Sequence, residues 1–174
     1  MHEWTESPSL RGHMEAVAAC MGFYAGQLEP AELERWWVTG LLHDFDYEKH
    51  PGEEEHPFVG VEHLRGLGVD EGILSAILGH AEYSGTPRET AMAKALFAVD
   101  ELAGFIVACA KVRPNGISDL KPKSVKKKLK DKRFAAAVSR EDISQGIEEL
   151  GVDTTGHIQN CIDAIRTESE LVGL

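Results

Sequence analysis

Six residues of this 174-residue chain combine a type that could hold a metal with a place at a helix start or an inward helical face: His13, His43, Asp44, His56, His80 and Asp100. The doublet His43-Asp44 ends an apolar run, TGLLHD, in which Trp36, Trp37, Gly40 and Leu41 recur at helical spacing, so a last helical turn carries the pair into the interior. Ionised aspartate in low dielectric is costly unless a cation meets it, and a divalent metal also accepts a neutral imidazole beside it. His13, His80 and Asp100 fall on the apolar stripes of other helical segments, and His56 stands at a helix start. Neutral imidazoles with carboxylates suit Mn²⁺, Fe²⁺, Co²⁺, Ni²⁺ or Zn²⁺, and one or two such ions in a dry site lower the pKa of water toward neutrality.

The elements that must position these residues read as helices. A period through Leu10, Met14, Val17, Met21 and Tyr24 predicts a helix over 9–27, and a second covers 31–44. The acidic, turn-rich string over 45–55 predicts an exposed loop. His56-Pro57 then opens a helix that buries Val59, Leu64 and Leu67, and Asp70 caps a short one in which Ile73, Ile77 and His80 share a face. Thr86-Pro87-Arg88-Glu89 has the form of a capping box, predicting that the long helix carrying Asp100 starts there. Ser139 with Asp142, and then Asp153, predict two further caps, the last for a helix whose inner side is Ile158, Cys161, Ile162, Ile165 and Leu171. With no alternating β-branched run and no repeat, the fold class is all-α, with eight or so helices.

A chain this long, 43% hydrophobic, is expected to build one domain around one core. Its net charge of −11 argues against wholesale binding to nucleic acid or membrane. Cys20, Cys109 and Cys161 are widely spaced with no CxxC pair, as expected of buried thiols in a reducing cytosol. Neither a signal peptide nor a membrane span is visible, so the cytoplasm is the expected location.

The order of the polar residues resembles that of the HD-domain superfamily of metal-dependent phosphohydrolases: a histidine on the first helix, the His-Asp doublet, and a distal aspartate on a long later helix. The resemblance implies an HD-type helical bundle over 1–174, with a core over 9–110 and extra C-terminal helices over 117–174. It implies that His13, His43, Asp44 and Asp100 hold one metal. HPFVGVEHLRGLGV looks like the segment that follows the doublet in two-metal members, which implies His56 and His80 for a second ion with Asp44 bridging. TPRETAMAKALFAVDELAGFI and SVKKKLKDKRFAAAV are similar to a group of predicted HD hydrolases of undefined substrate. Where many binuclear members continue the doublet with glycine and lysine, Asp46 and Tyr47 stand here, with Lys49 as a candidate substitute. The glycine-tyrosine-proline signature of the cyclic-dinucleotide phosphodiesterase branch is absent.

The expected function is hydrolysis of a small phosphorylated substrate, a nucleotide or related phosphoester. Asp44, Glu82 and Lys94 form the expected catalytic set, with Glu82 as proton donor to the leaving group or else a residue of a solvated turn. Arg88, Lys126 and Lys127 are the expected contacts to substrate phosphate, set against surface pairing for Arg88 and a solvated lysine face for the others. His63 is a rival ligand or a surface histidine, Glu101 faces away from Asp100, and His2, His50 and His157 are read as incidental. Two further functions stay open: a di-iron oxygenase using a similar cage, and a non-catalytic nucleotide-sensing module. The apolar faces of the last helices are expected to pack on the core or across a homodimer.

Overall fold

Serine and aspartate caps and apolar stripes divide the chain into nine α-helices and two 3₁₀ turns, with no strand, in a computed structural model that describes residues 1–174. Helix α1 (Pro8–Leu28) starts where Ser7 accepts the Leu10 N–H and Pro8 occupies the first turn. It buries Met14, Val17, Met21 and Tyr24. Helix α2 (Leu33–Leu42) crosses α1 at Gly40, where a Cβ would lie only 2.8 Å from the Ala18 Cα, so the two backbones meet without a side chain between them. That crossing brings His13 of α1 beside His43, which follows the last turn of α2.

Helix α3 (Phe58–Gly66) and helix α4 (Glu71–His80) form the next pair, α4 starting at Asp70, which accepts the Gly72 N–H at 3.0 Å. Helix α5 (Ala91–Lys111) runs through the middle of the molecule with Leu96, Val99, Leu102, Phe105 and Ile106 buried, and packs against α1 and α4. Helices α6 (Pro122–Leu129), α7 (Arg140–Leu150), α8 (Thr154–Thr167) and α9 (Ser169–Val172) follow. Helix α7 lies on α5 and α8 on α1, so their apolar sides join the same contiguous core. Ser139 and Asp153 cap α7 and α8 as the sequence predicts, accepting the Asp142 and Gly156 N–H groups. No helix is long and apolar enough to cross a membrane.

Four local expectations are corrected, the first being Leu67, which lies just past the end of α3 and is exposed rather than buried. The long helix begins at Ala91 with Thr90 as its cap, not at Thr86. Arg88 explains this: its guanidinium reaches the Gly79 carbonyl, Glu82 and Glu149, which keeps 86–90 out of the helix, between α4 and α7. The 45–55 segment is not wholly exposed, because Phe45 and Asp46 are buried and Thr5 Oγ1 donates to the Phe45 carbonyl. On α9 it is Val172 that turns inward while Leu171 is exposed.

Candidate metal centre

The ends of α2 and α4, the start of α3, the second turn of α1 and the middle of α5 converge on one cleft of about 400 Å³. On one side, His13 Nε2, His43 Nε2 and an Asp100 oxygen lie 3.0 to 3.3 Å from one another. On the other, His56 Nε2 and His80 Nε2 are 3.2 Å apart, each 3.3 Å from Asp44 Oδ1. Asp44 Oδ2 faces the first group, 3.5 Å from His43 Nε2 and 3.7 Å from His13 Nε2. Asp44 therefore belongs to both triads, one oxygen to each.

The imidazoles are oriented by their other nitrogens. His43 Nδ1 donates to the Gly40 carbonyl at 2.7 Å, His80 Nδ1 to the Ile77 carbonyl, and His56 Nδ1 to Asp46 Oδ1 at 2.8 Å. With those protons on Nδ1, the Nε2 lone pairs of His56 and His80 point at each other, which is repulsive unless a proton or a cation lies between them. Burial opposes protonation of His43, but Asp44 and Asp100 more than offset it and leave it raised to about 9. His56 is likewise disfavoured as a cation by burial and still raised to about 9, by Asp44 and Asp46. Asp44 and Asp100, though burial pushes their carboxyls up, are held well below the usual carboxylate range by the surrounding histidines. The cluster is thus built around positive charge. Donor separations near 3 Å fit a shared ion at about 2.0 to 2.2 Å from each donor, the range for divalent metals with nitrogen and oxygen ligands.

A family model for the HD domain matches residues 10–104, from just before His13 to just past Asp100. The chain belongs to the HD domain family. Curated proteins and solved structures give no match to it. HD domains bind divalent metals, and the donor set of this HD centre, four imidazoles and two carboxylates, fits that chemistry.

Around the HD centre the structure sorts the remaining candidates. Glu82 lines the cleft, exposed at its mouth. Arg88 does not reach it: its guanidinium is bidentate on Glu149 at 2.7 and 2.8 Å, pairs with Glu82 and stacks on the Phe97 ring at 3.7 Å. Lys94 lines a separate depression with Arg88 and Glu149. Lys126 and Lys127 belong to a third depression with Lys123, Lys130 and Thr155, because α6 packs toward α8 rather than toward the cleft. The expected substrate contacts Lys94, Arg88, Lys126 and Lys127 thus lie outside the lining of the metal cleft. His63 packs against Trp4 and Phe45 instead of joining the donors.

Several residues of the HD cleft escaped the sequence. Asp46 is buried, accepts from His56 Nδ1 and from the Gly60 N–H at 2.7 Å, and so fixes a metal-facing imidazole; a Cβ at Gly60 would collide with it. Tyr47 stands edge-on to the His56 ring at 5.0 Å, and Tyr83 lines the same wall. Glu101, Ala137, Val138 and Asp142 complete it, with Glu101 accepting the Ser139 N–H at 3.0 Å. Burial, with Asp100 beside it, pushes Glu101 up to about 7. His157, read as incidental, is a core residue whose Nε2 donates to the Ala98 carbonyl at 3.0 Å while Nδ1 accepts from Tyr24. Its only sequence signal was its place on the apolar side of α8.

Proposed function

We propose that this HD protein is a metal-dependent phosphohydrolase that acts on a small phosphorylated substrate through metal-activated water. The observation that supports this most is the pair of three-donor groups joined by the two oxygens of Asp44 at the floor of an open cleft. Two divalent cations bound there would supply Lewis acidity for phosphoryl oxygens and lower the pKa of water. The chain's own part is positional. Asp44 sets the spacing of the two groups, and Asp46 holds the His56 ring in the tautomer that leaves Nε2 free. Tyr83, which burial and then Asp44 raise to about 12, keeps its phenolic proton throughout the physiological range and offers a donor from the cleft wall. Glu82 lines the same cleft and is our candidate for handing a proton to the leaving oxygen.

The test is release of nitrophenol from p-nitrophenyl phosphate by the protein loaded with Mn²⁺, Co²⁺ or Fe²⁺, compared with Asp44→Ala. The expected loss is at least about 100-fold, with both metals gone from the variant. Equal turnover by variant and parent would remove this centre from the reaction.

A further inference from the structure

The side chains lining the metal cleft include no lysine and no arginine, although its expected ligand carries phosphate. Arg88, Arg140 and Lys49 are all turned elsewhere. Arg88 is saturated by Glu149, Glu82 and the Gly79 carbonyl. Arg140 donates to the Ala135 and Val138 carbonyls at 2.6 and 2.7 Å and lies over the Phe105 ring. Lys49 donates to the Glu3 carbonyl at 2.9 Å and sits over Trp4. At Tyr47, three residues after Asp44, a neutral phenol lines the cleft.

Above the donor groups the wall is acidic and aromatic: Glu82, Glu101 and Asp142 share it with Tyr47 and Tyr83. Of the wall's carboxylates, Glu82 is paired with Arg88, whereas Glu101 is met by the Ser139 N–H. The floor's demand would be met by metal, whereas Glu101 and Asp142 have no cationic side chain in the lining and would take a cation brought by the ligand. A triphosphate would instead spread its outer charges against these carboxylates with no guanidinium or ammonium to receive them.

Resting on the reading of the cleft as a metal-dependent phosphoester site, we infer that its ligand is a small phosphate ester carrying an organic cation, an amino or quaternary ammonium group within a few bonds of phosphorus. The phosphoryl group lies toward the histidines and Asp44, and the cation lies against Glu101 and Asp142, with the Tyr47 and Tyr83 rings, each nearly half exposed, available to its face. Polyanionic nucleotides are disfavoured by the same arrangement.

Calorimetric titration of the metal-loaded protein with 2-aminoethyl phosphate, ethyl phosphate and ATP separates the cases without relying on turnover. We expect 2-aminoethyl phosphate to bind at least about tenfold more tightly than ethyl phosphate, a difference of about 1.4 kcal/mol, and ATP to bind more weakly than either. In Glu101→Gln, and separately in Asp142→Asn, that preference shrinks to about threefold or less. Equal binding of the two small esters, or tighter binding of ATP, by protein that retains its metals would overturn the inference and leave the metal-dependent reading standing. Protein that binds no metal, or that binds metal but none of the three phosphates, overturns both.

Discussion

Asp44 carries the most weight among single residues, because its two oxygens face two separate histidine groups and no neighbouring carboxylate duplicates that reach. Behind it, Asp46 acts through His56. Replacing Asp46 with asparagine removes the charge that fixes the His56 tautomer and leaves the ring free to turn, so metal affinity should fall by about 10- to 100-fold while the helical content is kept. Competition with a chromophoric chelator reads this directly, and unchanged affinity would mean that the His56 ring is set by packing alone. The histidines and aspartates of the centre were legible in the sequence because a charged type on an apolar stripe is an anomaly that needs a cause. Asp46 was not, since DYEKHPGEEE has the composition of a surface loop. Only the approach of α3, with a glycine at position 60, closes space around that carboxylate.

The helices act as spacers for these donors, and the tightest spacer is the α1–α2 crossing. Alanine at position 40 would place a methyl 2.8 Å from the Ala18 Cα, a contact that only a shift of α2 can relieve. Gly40→Ala should therefore destabilise the fold by about 1 to 3 kcal/mol. It should also weaken metal binding, because the Gly40 carbonyl orients His43 and α2 sets the distance from His43 to His13. Gly26→Ala, in α1 with open space around it, should do neither. Thermal unfolding and metal titration of the two variants make the comparison, and a Gly40→Ala protein with undiminished metal affinity would show that α2 adjusts without moving its histidine. The long α5 was readable from its apolar period, but its start was not. Thr86-Pro87-Arg88-Glu89 fits a capping box locally, yet bonds from Arg88 to groups 9 and 61 residues away in sequence decide the backbone there. The lysine run over 121–133 was likewise plain as charge, while its distance from the cleft depended on how α6 packs.

At the scale of the whole molecule, the C-terminal helices are tied to the N-terminal half by a buried polar contact, His157 with Tyr24 of α1 and the Ala98 carbonyl of α5. Burial holds His157 below its ordinary value of 6.5, only partly offset by that carbonyl. The neutral ring therefore contributes stability that is present above pH 6.5 and lost as pH falls below it, because the unfolded chain takes up the proton first. The melting temperature of the parent should drop on going from pH 7 toward pH 5, more steeply than that of His157→Gln. Parallel curves would show that the ring does not stay neutral in the fold. Bound metal adds to stability independently of this, through its preference for the folded donor set. The claim on which the functional account depends is that the two donor groups share ions across Asp44. Anomalous diffraction from crystals of the metal-loaded protein tests it most directly. The account predicts two peaks, one among His13, His43 and Asp100, the other between His56 and His80, with an Asp44 oxygen on each. Density lacking any ion within coordinating distance of Asp44 would contradict it.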